Sequence, residues 1–393
     1  MQIPAQISNP AIRKLIVVGT HVEIRQSKDG LRGFAGRIPI ADVCTTQTIH
    51  KKGELPTWRQ KTPAECRRDL FCAISKGDSE HMVNTLVITD IGGESRLYPF
   101  EKIVMETRSF SNVYTAVLTS EQACIGTYEA MERFVKDRGH AAPDDIEGVH
   151  VFSSYGDRPG VFKVIVTFFN DRLCYQNDKE RIILVVEDQP QFYTPFLAKL
   201  HNINDGRARV LLARTFEEAE GFIRECHSRL AGAILDVQFP KGGKLIDEAS
   251  FPLLSLLRKY DSRMPVVFQS SEQERLSQVT AGHNVLALHK QSPTLLTDLE
   301  SYMNGYFGFG SFAFRYSDGR KYALAETLFE LVGCIRKAPA EVLLNHGTRN
   351  DFSKWLWLHG EKEAAARLKP IQTSDAEEIR SILLGALEIK DRQ

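Results

Sequence analysis

The chain is 393 residues long, 42% apolar and 25% charged, with 50 basic side chains balanced by 50 acidic ones. That length implies two or three domains with ample material for cores. Zero net charge gives no bulk electrostatic case for nucleic acid or an anionic membrane, and the apolar runs are strand-sized, far short of the ~20 residues of a membrane span. The opening stretch MQIPAQISNPAIRK lacks the apolar region of a signal peptide. The 7 cysteines are scattered, odd in number and without CxxC spacing, against both a disulfide framework and a structural zinc site. A reduced, cytoplasmic, soluble protein is expected.

Residues 11–176 alternate short apolar runs with amphipathic stretches. KLIVVGT, NTLVITD (ending at Asp90), VYTAVLTS and VHVFSS have strand length and composition. Thr62-Pro63-Ala64-Glu65 forms a capping box with proline at the first helical position. A helix is expected over QACIGTYEAMERFVKDRG and another around Val161 to Leu173. Between Gly30 and Arg59 the sequence is irregular, which implies a loop or an extra strand. QNDKER (Gln176 to Arg181) is a polar run suited to a linker.

Residues 181–304 read as a strand–helix alternation, the pattern of a parallel sheet covered on both faces. The strands are ILVVED, RARVLLA, AGAILD, PVVFQS and NVLALH. The first helix places Phe192, Phe196, Leu197 and Leu200 at helical spacing. Thr215 caps the second, with Glu218 completing a capping box. FPLLSLLRKY, SEQERLSQVTAG and SPTLLTDLESYM supply the rest. Gly242-Gly243, after the third strand, reads as a loose loop rather than a phosphate cradle. The first segment repeats the same order more weakly, and internal duplication is the economical explanation.

Residues 306–393 begin with a hairpin, alternating aromatics around the turn signal Ser317-Asp318-Gly319. A helical module follows, with Asp351 and Asp375 as N-cap candidates. Phe352, Trp355, Leu356 and Leu358 have core spacing, and Trp357 suits an interface. His346 in NHGTRND only faintly resembles a histidine-kinase phosphoacceptor box, because Gly347 and Asp351 replace its acid and proline. A solvent-facing or capping histidine is expected. Basic and acidic residues alternate here, a solvated face rather than a DNA surface.

Chemistry concentrates in the middle segment. The carboxyl ends of strands in a parallel sheet converge on one crevice. Convergence there brings Glu187, Asp188, Asp236, Ser270 and Lys290 together in a doubly wound order of 2-1-3-4-5. Clustered carboxylates repel unless a hard cation binds, and Mg²⁺ takes a few carboxylates plus waters and phosphate oxygens. Asp236 is then a competent carboxylate nucleophile toward a phosphoryl donor. Lys290 and the Ser270 hydroxyl suit the charge on the transferred group.

Over residues 181–304 this constellation resembles the receiver domain of two-component response regulators, with Glu187 and Asp188 as metal acids, Asp236 followed by Pro240 as phosphoacceptor, Ser270 as switch hydroxyl, and Lys290. The resemblance implies a flavodoxin-like (βα)5 fold and Mg²⁺ held by Glu187, Asp188, Asp236 and the backbone carbonyl of Gln238. It also implies phosphorylation by a sensor histidine kinase or phosphotransfer protein, an output through an unknown protein partner, and a homodimer as one assembly. The chain departs from the family at Ala287, where an aromatic switch is common, and at Gln291, where proline follows the lysine.

The first segment resembles a degenerate receiver: Gly19 and Thr20 stand where the acid pair belongs, and no lysine appears on VHVFSS. Asp90 there reads as a structural strand-end residue, with Thr119 at a switch-like position. The whole pattern, including GYFGFGSFAFRYSDGR and NDFSKWLWLHGEKEAAARLKP, is similar to the N-terminal regulatory region of phosphoenolpyruvate-synthase-like or pyruvate, phosphate dikinase-like bacterial proteins. No kinase or PEP-binding segment is recognised, so no enzyme activity beyond self-phosphorylation is expected. Alternatives from other classes are a phosphorylation-independent scaffold and a regulatory subunit of a PEP-utilising enzyme.

Overall fold

Runs of valine, isoleucine and leucine without a charged break suit strands buried on both faces, and the amphipathic stretches between them suit covering helices. In the computed structural model the fold is α/β, with parallel sheets and helices, compatible with a flavodoxin-like arrangement. Described are residues 12, 14–19, 40–44, 46–49, 57–60, 65, 68–70, 73, 84–92, 113–120 and 149–154. From 158 to 368 all are described except 263, 281, 282 and 284, and beyond that 373, 375 and 376–387. The capping box at Thr62, the acid-pair counterpart at Thr20, the side chain of Asp90, and the stretch QACIGTYEAMERFVKDRG lie outside the described residues. No helix among the described residues is long and apolar enough to cross a membrane.

Two compact units divide the chain. One comprises Met1–Asp178, Glu187–His201 and Val210–Glu218, and the other Lys179–Val186, Asn202–Arg209 and Ala219–Gln393.

In the first unit, strands β1 (Lys14–Gly19), β2 (Ile40–Cys44), β5 (Thr85–Gly92), β6 (Val113–Thr119) and β7 (Val149–Ser153) form a parallel sheet in the order β2-β1-β5-β6-β7. Between β2 and β5, β3 (Thr46–Ile49) pairs antiparallel with β4 (Thr57–Gln60), within the stretch whose composition is irregular. Helix α1 (Arg158–Cys174) packs Phe168 against His150 and Phe152. Helix α2 (Pro190–Asn204) begins with proline, whose missing N–H costs nothing at that position. Its Tyr193 hydroxyl donates to the Val151 carbonyl, and its Thr194 Oγ1 accepts from the Ser153 N–H at 3.1 Å. The Asp171 carboxylate accepts from the Val210 N–H at 2.9 Å.

The second sheet has the order β9-β8-β10-β13-β14, from β8 (Arg181–Val186), β9 (Ala208–Ala213), β10 (Leu230–Asp236), β13 (Val266–Ser270) and β14 (Leu286–His289). β10 is parallel to β8 and β13, and β13 to β14. Its helices are α3 (Phe216–Cys226), α4 (Ser250–Tyr260), α5 (Gln273–Thr280) and α6 (Leu295–Gly305). Thr215 Oγ1 accepts from the Glu218 N–H at 3.3 Å, while the Glu218 carboxylate accepts from Arg214 N–H at 2.9 Å, one residue before the cap. Gly232 lies mid-strand in β10 because a Cβ there would meet the Phe307 ring at 2.4 Å.

Gly242-Gly243 is not a loose loop. Strands β11 (Phe239–Lys241) and β12 (Lys244–Ile246) pair antiparallel around it. Both glycines have positive φ, 58° and 73°, as a type I′ hairpin turn requires.

Beyond α6, β15 (Phe312–Arg315) and β16 (Lys321–Ala325) form an antiparallel hairpin whose turn holds Gly319 at φ 89°. Helices α7 (Leu328–Lys337), α8 (Ala340–Gly347), α9 (Asp351–Leu358), α10 (Lys362–Arg367) and α11 (Ala376–Leu387) follow. They enclose a core of Phe312, Phe314, Ile335, Leu343, Phe352 and Leu383. Asp375 Oδ1 accepts from the Glu377 N–H at 2.9 Å and so caps α11.

Two expectations for this segment are corrected. Asp351 is the first helical residue rather than the N-cap, which is Asn350 at φ 56°. Its carboxylate instead accepts from His346 Nδ1 at 2.8 Å. His346 is neither solvent-facing nor a cap. It is buried, and its Nε2 accepts from the Arg315 N–H at 2.8 Å. The phenylalanines of the core supply the apolar surface around it.

Candidate functional site

The second sheet ends its strands in step. Val186 is the partner of Leu235, Asp236 of Gln269, and Ser270 of His289. One residue further along β8 therefore brings Glu187 level with Asp236, and Lys290 follows β14 directly. The chain turns from β8 into α2 through Asp188, Gln189 and Pro190, with the Gln189 N–H donating to Glu187 Oε1 at 3.2 Å.

Carboxylate oxygens of Glu187, Asp188 and Asp236 lie within 4.8 Å of one another. Glu187 and Asp236 are buried and Asp188 half-buried. A hard divalent cation with oxygen ligands at ~2.0–2.6 Å spans such a gap, and an all-carboxylate donor set is the kind Mg²⁺ or Ca²⁺ accepts and a softer metal does not favour. The donor set therefore fits a Mg²⁺-type ion.

Lys290 Nζ donates to Asp236 Oδ2 at 2.6 Å, and both side chains are almost fully buried. Burial pushes the Asp236 carboxyl above the usual carboxylate range, opposed by the Lys290 ammonium and by the N–H groups of Gln238 and Val237.

Ser270 is buried at the end of β13, and its Oγ accepts from the Glu272 N–H at 3.1 Å. That bond uses the hydroxyl as an acceptor and leaves its proton for donation. The Ser270 carbonyl accepts from the Lys290 N–H at 2.9 Å, so backbone pairing fixes the start of the lysine side chain. Gln238 follows Asp236 by two residues, and its side-chain amide donates to Asp247.

At Ala287 the carbonyl accepts from the Tyr302 hydroxyl of α6 at 3.1 Å. An aromatic side chain thus reaches β14 from the following helix.

Sequence reasoning missed two parts of this region. One is the β11–β12 hairpin, whose three-residue strands on either side of the Gly-Gly pair are too short to carry a strand pattern. The other is a polar chain beside it, Gln238 to Asp247, Asp247 to Arg275 at 3.4 Å, and Arg275 to Glu272 at 3.6 Å. No local pattern marks residues so far apart in sequence.

No protein-family model matches the chain, and no curated protein matches it. Among solved structures, the chain is similar at 11% identity to the Escherichia coli RcsC C-terminus containing a linker region and phosphoreceiver domain, over 75% of this chain and 94% of that one, with a TM-score of 0.26. It is similar at 10% identity to proximal thread matrix protein 1 from the mussel byssus, over 76% and 96%, with a TM-score of 0.29. The C-terminal domain of glucosamine-fructose-6-phosphate aminotransferase from Francisella tularensis matches at 8% identity over 76% and 84%, with a TM-score of 0.24. At these scores the likenesses decide nothing about chemistry, which rests on the residues themselves.

Proposed function

We propose that the chain is a response-regulator-like signalling protein whose Asp236 accepts a phosphoryl group in a Mg²⁺-dependent reaction. The observation that carries this is the buried Lys290–Asp236 contact of 2.6 Å beside the acid pair Glu187 and Asp188. Glu187, Asp188, Asp236 and the Gln238 carbonyl would hold the ion. When bound, Mg²⁺ offsets the charge of the crowded carboxylates and of the incoming phosphoryl oxygens.

The chain's own groups then divide the work. An Asp236 carboxylate oxygen attacks phosphorus, forming an O–P bond as the donor's P–N bond breaks (P–O in acetyl phosphate), and the bonding pair leaves on the donor atom. Lys290, in contact with Asp236 at 2.6 Å, turns its ammonium to the phosphoryl oxygens. Ser270 donates a hydrogen bond to one of them. Asp236 needs no proton removed once it is ionised.

On this reading the first sheet is a degenerate receiver-like copy without the acids, residues 306–393 are a hairpin plus helical module, and the chain accepts phosphoryl groups rather than acting as a kinase. The donor is a sensor histidine kinase or phosphotransfer protein in the cytoplasm. Incubating the protein with Mg²⁺ and radiolabelled acetyl phosphate should give an adduct that Asp236→Asn and Mg²⁺ chelation abolish. Equal labelling of Asp236→Asn would sink the proposal.

A further inference from the structure

Strands β8 and β9 are neighbours in the second sheet and stop at the same end of it, at Val186 and Ala213. Backbone pairing runs on past both, because the Glu187 N–H donates to the Ala213 carbonyl at 3.0 Å. In a parallel ladder that bond sets Val186 level with Ala213, and so Glu187 level with Arg214. Level residues on adjacent strands project to the same face of the sheet. Glu187 is fully buried, and Arg214 is only 2% exposed. A guanidinium keeps its charge at any working pH and is almost never buried so far without an acid to pair with. Glu218, four residues on in α3, is already engaged at both oxygens: Oε1 by Arg172, and Oε2 by the Arg214 N–H at 2.9 Å. These two backbone bonds, at Ala213 and at Arg214, fix where the arginine side chain starts. The acid level with it belongs to the pair Glu187 and Asp188.

We propose that Arg214 is a positioning residue for this acid pair, one that holds the Glu187 carboxylate ionised and in place before a cation arrives and whose fixed charge weakens Mg²⁺ binding. The inference rests on the Mg²⁺ reading of the acids. Burial of an ionised carboxylate is costly unless an opposite charge lies near, and a guanidinium on the neighbouring strand supplies that charge in the cation-free protein. The same charge repels an incoming divalent ion and shares the carboxylate that would bind it. Arg214 thus acts on the metal side of the site, whereas Lys290 acts on Asp236.

Calorimetric titration with Mg²⁺ alone at pH 8 compares full-length wild type, Arg214→Met and Arg214→Lys. Removing the charge in Arg214→Met should tighten Mg²⁺ binding by about tenfold, while Arg214→Lys, which keeps it, should stay within about threefold of wild type. A packing role alone predicts the opposite, since a loosened fold binds the ion more weakly. Thermal melts in chelator give a second measurement that needs no change at Arg214. Glu187→Gln should melt below wild type because it strands a buried guanidinium, and Asp188→Asn should not, because it only thins the crowded carboxylates. Three results overturn the role of Arg214 while leaving the cation site standing: equal or weaker Mg²⁺ binding by Arg214→Met, equal tightening in Arg214→Lys, or Glu187→Gln melting at or above wild type. Absence of Mg²⁺ binding by wild type and by both Arg214 variants would instead remove the cation reading, and the part of Arg214 in it.

Discussion

Asp236 is held in two opposing environments, an apolar burial that favours its neutral form and a lysine contact that favours its charge. Burial wins, so the folded carboxyl titrates above its unfolded value. The sign follows from linkage: a carboxyl raised on folding contributes stability that is full below its unfolded pKa and is lost as pH rises through the folded one. In metal-free protein the stability of wild type relative to Asp236→Asn should therefore decline with rising pH across that window. Thermal melts of both proteins in chelator over a pH series measure the difference, and an increase with pH would contradict the assignment. Lys290 has a separable task. Lys290→Met should leave Mg²⁺ binding in place while slowing acetyl phosphate labelling by roughly a hundredfold, the usual loss on removing one transition-state cation. A variant labelled at the wild-type rate would exclude Lys290 from the reaction. These residues were legible in the sequence because each ends an apolar strand at a polar side chain. His346 was not, since its partners Arg315 and Asp351 become visible only once the hairpin and α9 are packed.

At the scale of elements, β10 positions the acceptor, and its weakest tolerance is at Gly232. A Cβ there would come within 2.4 Å of the Phe307 ring, so Gly232→Ala should cost about 1–3 kcal/mol through overpacking. Denaturant melts would show this, and Phe307→Leu in the same chain should recover much of it. The β15–β16 hairpin and α9 meet through His346. With Nε2 accepting from a backbone N–H, the ring carries its proton on Nδ1 and donates it to Asp351. His346→Leu strands the Arg315 N–H, while Asp351 keeps its ion pair with Arg349 at 3.3 Å, and should lower stability by about 1–3 kcal/mol. An unchanged denaturation midpoint would show that the pair is relieved by solvent. Strands and helices of the middle segment were legible from apolar runs and helical spacing, down to the cap at Thr215. The β11–β12 hairpin was not, because Lys241-Gly242-Gly243-Lys244 has the composition of a loop and only the pairing of three-residue flanks turns it into a strand pair.

For the whole molecule, the parallel α/β character was written in the alternation of strand-length and amphipathic runs. The compact units are not. The division falls after Val186 and again within β9, and buried bonds run from Tyr193 and Thr194 of α2 to β7 and from Asp171 to β9. Such long-range side-chain bonds leave no periodic trace. A single bound ion should register across the molecule's stability. Mg²⁺ at a hundred times its dissociation constant should stabilise wild type by about 2.7 kcal/mol, and Glu187→Gln/Asp188→Asn should erase the increment. The central claim is the identity of the acceptor atom. It is tested most directly by treating the protein with Mg²⁺ and acetyl phosphate, reducing the acyl phosphate with borohydride, and sequencing the tryptic peptide from Leu230 to Lys241. The account predicts that the reduced residue is at Asp236, and a reduced residue at any other position would contradict it.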